Sequence, residues 1–250
     1  MSASKWDGWD MLGFDLETTG VDVWNDRVVQ AAVVRVAAGK RPATKMWLVD
    51  PGIEIPAEAS DVHGITTDRA RTEGGDPGQM LFELVGLLAL AMGRGRPVVG
   101  MNLSYDLSLL EAECHRHGID GLVARLGHHS KVGPVVDVLV LDKFVDPYRK
   151  GGRKLEQLCA HYGVRHTGAH DAAGDALASC RLWPRIMAKH ARKFPGHTIH
   201  SLHQSQIGWR KAQADSLREY FDRKGTEHDG VCGEWPLHRA CAPALVGGAR

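Results

Sequence analysis

The sequence predicts an α/β protein with a mixed sheet that is flanked by helices. Residues 11–18, 27–37 and 43–49 are apolar, β-branched segments with short, turn-prone connections, which favours an antiparallel meander. From residue 77 onward, helical and strand patterns alternate, and this favours helices packed against a sheet. Three strands followed by this alternation indicate one mixed sheet.

The later elements follow from periodicity and from the residues at their ends. Strands are expected at 97–102 and at the beginning of 135–144, a polar loop at 51–76, and helices at 77–92, 103–117, 155–163 and from 171 onward. Asp76 and Asn102 are the predicted N-caps of the first two of these helices. Gly163 should end the third helix, and Pro184 should kink or stop the fourth.

The C-terminal part is expected to be a helical extension. We place the domain boundary between residues 1–193 and 194–250, with a linker at 194–200 and an amphipathic helix at 201–224. The apolar stripe of this helix comprises Leu202, Trp209, Leu217, Tyr220 and Phe221. The segment is nearly neutral, so it is a poor independent binder of nucleic acid. We expect its stripe to dock on the first domain or on a partner subunit.

Composition excludes few functions. The 250 residues carry a net charge of +1 and are 43% hydrophobic, so no global basic field announces a nucleic-acid partner. No signal peptide or membrane-spanning run is visible, and five scattered cysteines suit reduced thiols, which together predict a cytoplasmic protein without membrane contact. Cys232, His238 and Cys241 form only a weak zinc pattern, and no zinc is expected.

Two carboxylates stand out in the first strand. Asp15 and Glu17 are two residues apart, so they share one face of the strand while Leu12, Phe14 and Leu16 take the other. Acids that point to one place repel each other unless a cation lies between them, and all-oxygen ligation suits Mg²⁺ or Mn²⁺. A strand end at which both acids face water is the alternative, so further acids are needed.

Further acids occur later in the chain. Asp106 lies in the first turn of the helix that follows strand 97–102, where it could also serve the helix dipole. Asp175 lies one turn into the helix that begins near 171, and His170 precedes it by five residues, in the entry loop. Helical spacing does not place His170 and Asp175 on one face, so the histidine is expected to be free to swing over the site.

The order of these motifs resembles the DEDDh group of 3′–5′ exonucleases. The matching stretches are DLETTG at 15–20, NLSYD at 102–106 and HDAAGD at 170–175, within about residues 10–190. This DnaQ-like family includes the proofreading subunit of bacterial DNA polymerase, RNase T and oligoribonuclease. The resemblance implies an RNase H-like fold, with a five-stranded mixed sheet whose first strand is central. Met101-Asn102 stands where many relatives have His-Asn, which leaves the acids intact.

The resemblance also implies roles for these residues. Asp15, Glu17, Asp106 and Asp175 would hold two Mg²⁺ or Mn²⁺ ions, and His170 would be the general base. The expected substrates are 3′ ends of single-stranded or frayed DNA, cleaved to nucleoside 5′-monophosphates. A 3′–5′ exoribonuclease is the nearest alternative, and a non-catalytic nucleic-acid-binding module is the other. A proofreading role would need a DNA polymerase or another replication or repair protein as a partner.

Candidate substrate-binding residues complete the prediction. Thr18 and Thr19 directly follow the acids and could contact the 3′-terminal nucleotide, or could form a turn with side-chain hydrogen bonds. Asn102, beside the second motif, is also assigned to substrate binding. The local basic cluster is a candidate for phosphate contacts, with a solvated loop as the alternative; it consists of Arg149, Lys150, Arg153 and Lys154.

Overall fold

One mixed sheet forms the centre of the molecule. A computed structural model describes residues 9–166, 171–228 and 231–238. In these ranges the strands are β1 Met11–Thr18, β2 Val28–Val36, β3 Ala43–Leu48, β4 Val98–Gly100 and β5 Val135–Asp137. They form a five-stranded sheet in the order β3-β2-β1-β4-β5. The first three strands pair antiparallel, whereas β4 and β5 run parallel to β1. The predicted mixed sheet with a central first strand is confirmed.

Helices cover both faces of this sheet. They are α1 Ala57–His63, α2 Thr67–Glu73, α3 Pro77–Gly93, α4 Leu103–Arg116, α5 Leu122–Leu126, α6 Val138–Val145, α7 Leu155–Tyr162, α8 Ala172–Lys189 and α9 Ile199–Lys224. The loop predicted at 51–76 is wrong, because α1 and α2 lie within it. Ile55, Ile65 and Ala70 pack there against Val29, so burial against the sheet organises a segment that has no long apolar pattern of its own.

Pro184 neither stops nor interrupts α8, which continues to Lys189. The helix persists because Trp183, Ile186 and Met187, which surround the proline, are buried in the core. Their packing offsets the hydrogen bond that a proline cannot donate. The prediction that the helix stops at this residue is therefore wrong.

The predicted helix ends are mostly correct. The Asp76 carboxylate accepts a hydrogen bond from Gln79 N at 2.7 Å, and Gly163 ends α7 with a φ of 64°. Asn102 occupies the N-cap position of α4 in the left-handed conformation, but its side chain makes no capping hydrogen bond. The Asp137 carboxylate instead accepts from Asn102 N and Leu103 N, both at 3.0 Å. The predicted capping role of the Asn102 side chain is wrong.

The two faces of β1 carry different residues, as the alternation predicts. Leu12, Phe14 and Leu16 lie in the core that the sheet forms with α3 and α4. On the opposite face Gly13 lies against α8, where an added Cβ would be 2.6 Å from the Ala176 carbonyl oxygen. This close approach places the first turn of α8 beside the carboxyl end of β1.

The last helix covers the open edge of the sheet at β5. Val135 N donates to His203 Nδ1 at 3.2 Å, and Asp137 N donates to Gln206 Oε1 at 2.8 Å. The Gln206 amide in turn donates to Val135 O at 3.0 Å. These side chains therefore take the hydrogen bonds that a further strand would make, and they shield an edge that could otherwise pair with another chain.

The expected docking of the C-terminal helix on the preceding domain is confirmed, but its apolar stripe is only partly correct. Leu202 is fully buried, and the Trp209 ring stacks on the Phe144 ring with centroids 3.8 Å apart. Leu217 and Tyr220 are 39% and 46% exposed. Polar residues on the docking face replace part of the expected apolar contact, because the sheet edge that they meet is itself polar.

The cysteines do not all carry thiols. Cys114, Cys159 and Cys180 are free and buried, whereas Cys232 is disulfide-bonded. The expectation of reduced thiols throughout is therefore wrong for Cys232, and Cys241 lies outside the described residues.

Among the helices of the described ranges, none combines the length and the apolar character that crossing a membrane requires.

Candidate active site

Three carboxylates from two elements converge at one end of the sheet. One carboxylate oxygen from each of Asp15, Glu17 and Asp175 lies within 4.8 Å of those of the other two. Asp15 and Glu17 come from the end of β1, and Asp175 comes from the first turn of α8. All three are partly exposed, so the cluster can be reached from solvent. The arrangement brings together acids that are about 160 residues apart in the chain.

Asp106 lies beside this cluster but is held differently. Its side chain is buried, and Asp106 Oδ1 accepts a hydrogen bond from Leu16 N at 3.1 Å. The bond fixes the start of α4 to β1 between the two acids of the strand. Asp106 is near enough to Asp15 to raise the pKa of that group by charge repulsion. Asp106 is not one of the three acids whose oxygens lie within 4.8 Å of one another.

Burial and mutual repulsion make these acids poor anions in the absence of a cation. Burial, followed by repulsion from Asp106, Glu17 and Asp175, raises the pKa of Asp15 well above its usual range. Burial, followed by repulsion from Asp175, raises the pKa of Glu17 to about 7. Burial also raises the pKa of Asp106 to about 8, although hydrogen bonds to backbone N–H groups oppose the shift.

The donor set fits a hard divalent cation. Oxygen atoms of several carboxylates that are crowded at one place are the ligands that Mg²⁺ and Mn²⁺ prefer. A cation there would neutralise the repulsion that raises the pKa values of Asp15 and Glu17. We therefore assign Asp15, Glu17 and Asp175, with Asp106 beside them, as the residues that can hold a metal.

The sequence analysis did not predict two residues that the structure places at this site. His166 Nε2 lies 2.6 Å from Asp175 Oδ1, and this contact orients the carboxylate. Asp171 caps α8 by accepting from Gly174 N at 3.3 Å, and its charge raises the pKa values of Asp15 and Glu17. The stretch RHTGAH holds two histidines, but nothing in its spacing separates a residue that contacts Asp175 from a surface residue. His170 lies outside the described residues.

The hydroxyls of Thr18 and Thr19 are engaged in the turn that follows β1. Thr18 Oγ1 donates to Gly20 O at 2.7 Å and lies 2.8 Å from the hydroxyl of Tyr105. Thr19 is buried, donates to Asp26 Oδ1 at 2.7 Å and accepts from Arg27 N at 3.0 Å. The turn alternative describes these contacts, and the Thr19 hydroxyl is buried with its only proton already donated to Asp26.

The basic cluster divides into two parts. Arg149 and Arg153 lie 3.4 and 2.8 Å from Oδ2 of the fully buried Asp142, so they neutralise an internal charge. Lys150 and Lys154 are exposed. The two arginines are thus poorly suited to the predicted phosphate contact, since moving either one would weaken the charge compensation of the buried Asp142. The two lysines stay candidates.

Comparison with known proteins identifies this arrangement. The family model for the RNase T exonucleases matches residues 12–183, a range that holds all the acids of the site. The chain belongs to the RNase T exonuclease family. The predicted membership of the DnaQ-like exonucleases is thereby confirmed.

Relatives of this exonuclease domain occur in larger proteins. The chain is 30% identical over 185 residues to a DNA polymerase III subunit epsilon-like protein of Rhodobacter capsulatus, covering 70% of this chain and 24% of that protein. It is 28% identical over 189 residues to DNA polymerase III PolC-type of Lacticaseibacillus paracasei, covering 76% of this chain and 12% of that protein. The chain thus spans less than a quarter of the length of these two relatives.

Solved exonuclease structures share the fold. E. coli Exonuclease I in complex with a dT13 oligonucleotide aligns with a TM-score of 0.60 and 19% identity, over 74% of this chain and 42% of that chain. Exonuclease I of Methylocaldum szegediense aligns with a TM-score of 0.60 and 21% identity, over 84% and 45%. At this identity the likeness shows a common fold for the exonuclease domain.

Proposed function

We propose that this protein is a metal-dependent 3′–5′ exonuclease that releases nucleoside 5′-monophosphates from the 3′ ends of single-stranded or frayed DNA. The observation that carries the proposal is the convergence of Asp15, Glu17 and Asp175 at the carboxyl end of β1. Membership of the RNase T exonuclease family supports it. Four acids would repel a phosphodiester, so the chemistry requires that their charge is compensated.

The chain supplies the ligands for that compensation. Asp15, Glu17, Asp106 and Asp175 would hold the two Mg²⁺ or Mn²⁺ ions that the resemblance implies. When bound, such ions lower the pKa of water and neutralise negative charge on phosphate oxygens. His166 holds the Asp175 carboxylate from outside the cluster at 2.6 Å. Such a contact to a ligand fixes its orientation.

The proton transfer is assigned to His170. This residue stands five positions before Asp175 in the sequence, the place that the family pattern gives to the general base. An imidazole with an ordinary pKa of ~6.5 can accept a proton from an attacking water at neutral pH. Tyr105 has a supporting role, since its hydroxyl donates to Gly20 O at 2.6 Å and fixes the turn after the acids.

DNA is the preferred substrate class in this proposal. The relatives above are named as DNA polymerase III proteins, and one structural neighbour holds a dT13 oligonucleotide. Cleavage of RNA 3′ ends is the alternative, and contacts to the 2′-hydroxyl would decide between the two substrates. Because these relatives are named as DNA polymerase III proteins, a DNA polymerase is also a candidate partner of this protein. Co-purification with a replicative polymerase tests this interaction.

The decisive experiment compares 5′-labelled single-stranded DNA and RNA of the same sequence, with Mg²⁺, with Mn²⁺ and with EDTA. We expect a ladder of shortened DNA products that retain the label, and none in EDTA. A Glu17→Gln variant should give no ladder at the same enzyme concentration. Activity that survives exhaustive chelation would contradict the proposal. Faster shortening of RNA would favour the exoribonuclease, and binding without shortening of either strand would favour the non-catalytic module.

A further inference from the structure

A cavity of about 200 Å³, lined by both polar and apolar side chains, lies between α6 and α9, at the same edge of the sheet as the acid cluster. Asn102 and Asp137, which line it, stand at the carboxyl ends of β4 and β5. Both strands run parallel to β1, so their carboxyl ends meet the edge that carries Asp15 and Glu17. The cavity is thus a neighbour of the candidate active site, on the side where α9 docks.

Two cations line this cavity, Lys143 from α6 and Arg210 from α9. Both are partly exposed, and within the described ranges neither forms an ion pair or a hydrogen bond. They lie close enough that the positive charge of Arg210, after burial, lowers the pKa of Lys143. The charges of Asp137 and Asp142 offset part of the repulsion between the two cations, and a bound anion would stabilise both of them further.

Asp137 is the acid that lines the same cavity, but its oxygens are already occupied. Asp137 Oδ1 accepts from the backbone N–H groups of Asn102 and Leu139, both at 3.0 Å. Asp137 Oδ2 accepts from Leu103 N at 3.0 Å. Asp137 therefore serves the starts of α4 and α6. Its charge reduces the positive potential of the cavity without pairing with Lys143 or Arg210.

We propose that Lys143 and Arg210 bind a backbone phosphate of the nucleic-acid strand, on the 5′ side of the phosphodiester that the acid cluster cleaves. This inference rests on the proposed function. A 3′ exonuclease that releases mononucleotides has a single nucleotide on the 3′ side of the scissile bond, so any additional phosphate contact is upstream. A planar guanidinium beside an ammonium is a suitable donor set for a phosphate.

The site combines the family domain with the C-terminal extension. Lys143 lies within the matched residues 12–183, whereas Arg210 lies beyond them. Arg210 reaches the cavity because Gln206 and Gln213, on the same face of α9, bind Val135 O and Val140 O at 3.0 Å each. The docking of α9 thereby holds a phosphate ligand beside the domain that performs the cleavage.

The test measures steady-state kinetics of Lys143→Met and Arg210→Met on two substrates. One is a 5′-labelled oligodeoxythymidylate, and the other is the p-nitrophenyl ester of thymidine 5′-monophosphate, which has no upstream phosphate. Each variant should raise KM for the oligonucleotide roughly tenfold at unchanged kcat, the size of one hydrogen bond to a charged group. The slope of log KM for the oligonucleotide against log salt concentration should fall by about one phosphate contact. KM for the ester should not change.

Lys211→Met is the matched control, since Lys211 is an exposed lysine on α9 that pairs with Asp215. Oligonucleotide KM values equal to those of the control would overturn the proposal, and so would a parallel loss with the ester. Loss of inhibition by thymidine 5′-monophosphate with unchanged oligonucleotide KM would assign the cavity to a free nucleotide instead. Arg210→Lys should restore part of the lost affinity in a folded protein.

The failure of the proposed function gives a different result. In that case the wild type cleaves neither substrate, and oligodeoxythymidylate binding measured by fluorescence anisotropy replaces the kinetics. Weaker binding by Lys143→Met and Arg210→Met than by Lys211→Met would still support the phosphate site. Equal binding would reject it. Should a methionine variant melt early, Lys143→Gln and Arg210→Gln repeat the comparison with a polar side chain.

Discussion

At the scale of single residues, the site depends on carboxylates that the fold crowds together. Glu17, with a pKa of about 7, and Asp106, with a pKa of about 8, bind protons near neutral pH because burial disfavours their charged forms. A bound divalent cation would replace these protons. The same crowding that makes the metal-free site unfavourable therefore gives it affinity for a cation.

The roles of the histidine and of the acids predict different variants. His170→Ala should lower turnover by roughly 10²–10⁴-fold while metal binding is largely retained, which is the usual effect of removing a general base. Asp15→Ala should lower the metal affinity as well as the turnover. Isothermal titration with Mn²⁺, alongside the cleavage assay, separates the two effects. Identical metal titrations for both variants would contradict this division of roles.

The raised carboxyl pKa values predict how stability depends on pH in EDTA. Between about pH 4.5 and 7 the folded protein holds a proton on Glu17 that the unfolded chain has released, so the free energy of unfolding decreases as pH rises. The melting temperature should therefore fall from about pH 5 to about pH 8, and fall less in Glu17→Gln, which cannot ionise. Saturating Mg²⁺ should reduce the decline. An equal decline in wild type and variant would refute the assignment.

At the scale of elements, the site depends on how closely α8 approaches β1. Asp15 and Asp175 can share a cation because Gly13 has no side chain where α8 crosses the strand. On the other side, α4 is fixed by the hydrogen bond from Leu16 N to Asp106. The candidate metal ligands thus lie on three elements, and contacts within two residues of these acids set the spacing of the elements.

Gly13→Ala tests this spacing. The new Cβ would lie 2.6 Å from Ala176 O and 2.9 Å from Cys180 Sγ, so α8 must shift outward. We expect a loss of stability of about 1–3 kcal/mol, the usual cost of overpacking, together with weaker Mn²⁺ binding. Gly208→Ala in α9 is the control, because its Cβ would meet nothing within 4 Å. That control should leave the melting temperature unchanged or raise it. If Gly13→Ala gave the same melting temperature and Mn²⁺ affinity as the control, the close approach of α8 to β1 would not be needed for the site.

At the scale of the whole molecule, the C-terminal helix completes the sheet. The backbone groups of Val135 and Asp137 on β5 are paired by His203 and Gln206 rather than by a sixth strand. Burial lowers the pKa of His203 to about 4, so the ring is neutral at pH 7 and its Nδ1 can accept from Val135 N. The extension is thus part of the same folded unit as the exonuclease domain.

Truncation after Lys193 should therefore affect folding before it affects catalysis. The loss of α9 would expose the unpaired edge of β5 and the apolar surface against which Leu202 is fully buried. We therefore expect aggregation and a lower melting temperature. Truncation after Thr226, which keeps α9, should leave the melting temperature closer to that of the full chain. A Lys193 truncation that stays monomeric and as stable as the full chain would overturn this role.

The sequence by itself determined the strands, most of the helices and the acids of the site. These features depend on short-range rules: alternation placed Asp15 and Glu17 on one face of β1, and Asp76 and Gly163 marked helix ends through bonds to nearby backbone groups. The order of the motifs then indicated the family, and with it the central position of the first strand. The short helices α1 and α2 escaped this reasoning, since their stability comes from contacts with β2.

Only the tertiary structure decided which polar groups are internal and which are available to a substrate. Arg149 and Arg153 read as surface cations until the fold buries Asp142 between them. His166 contacts Asp175, and Gln206 pairs with β5, although neither spacing predicts it. Each of these contacts joins residues whose proximity is created by packing, and burial then changes the free energy of every charge involved. Short-range sequence patterns do not determine which distant residues pack together, so these contacts and their effects on charge are known only from the folded structure.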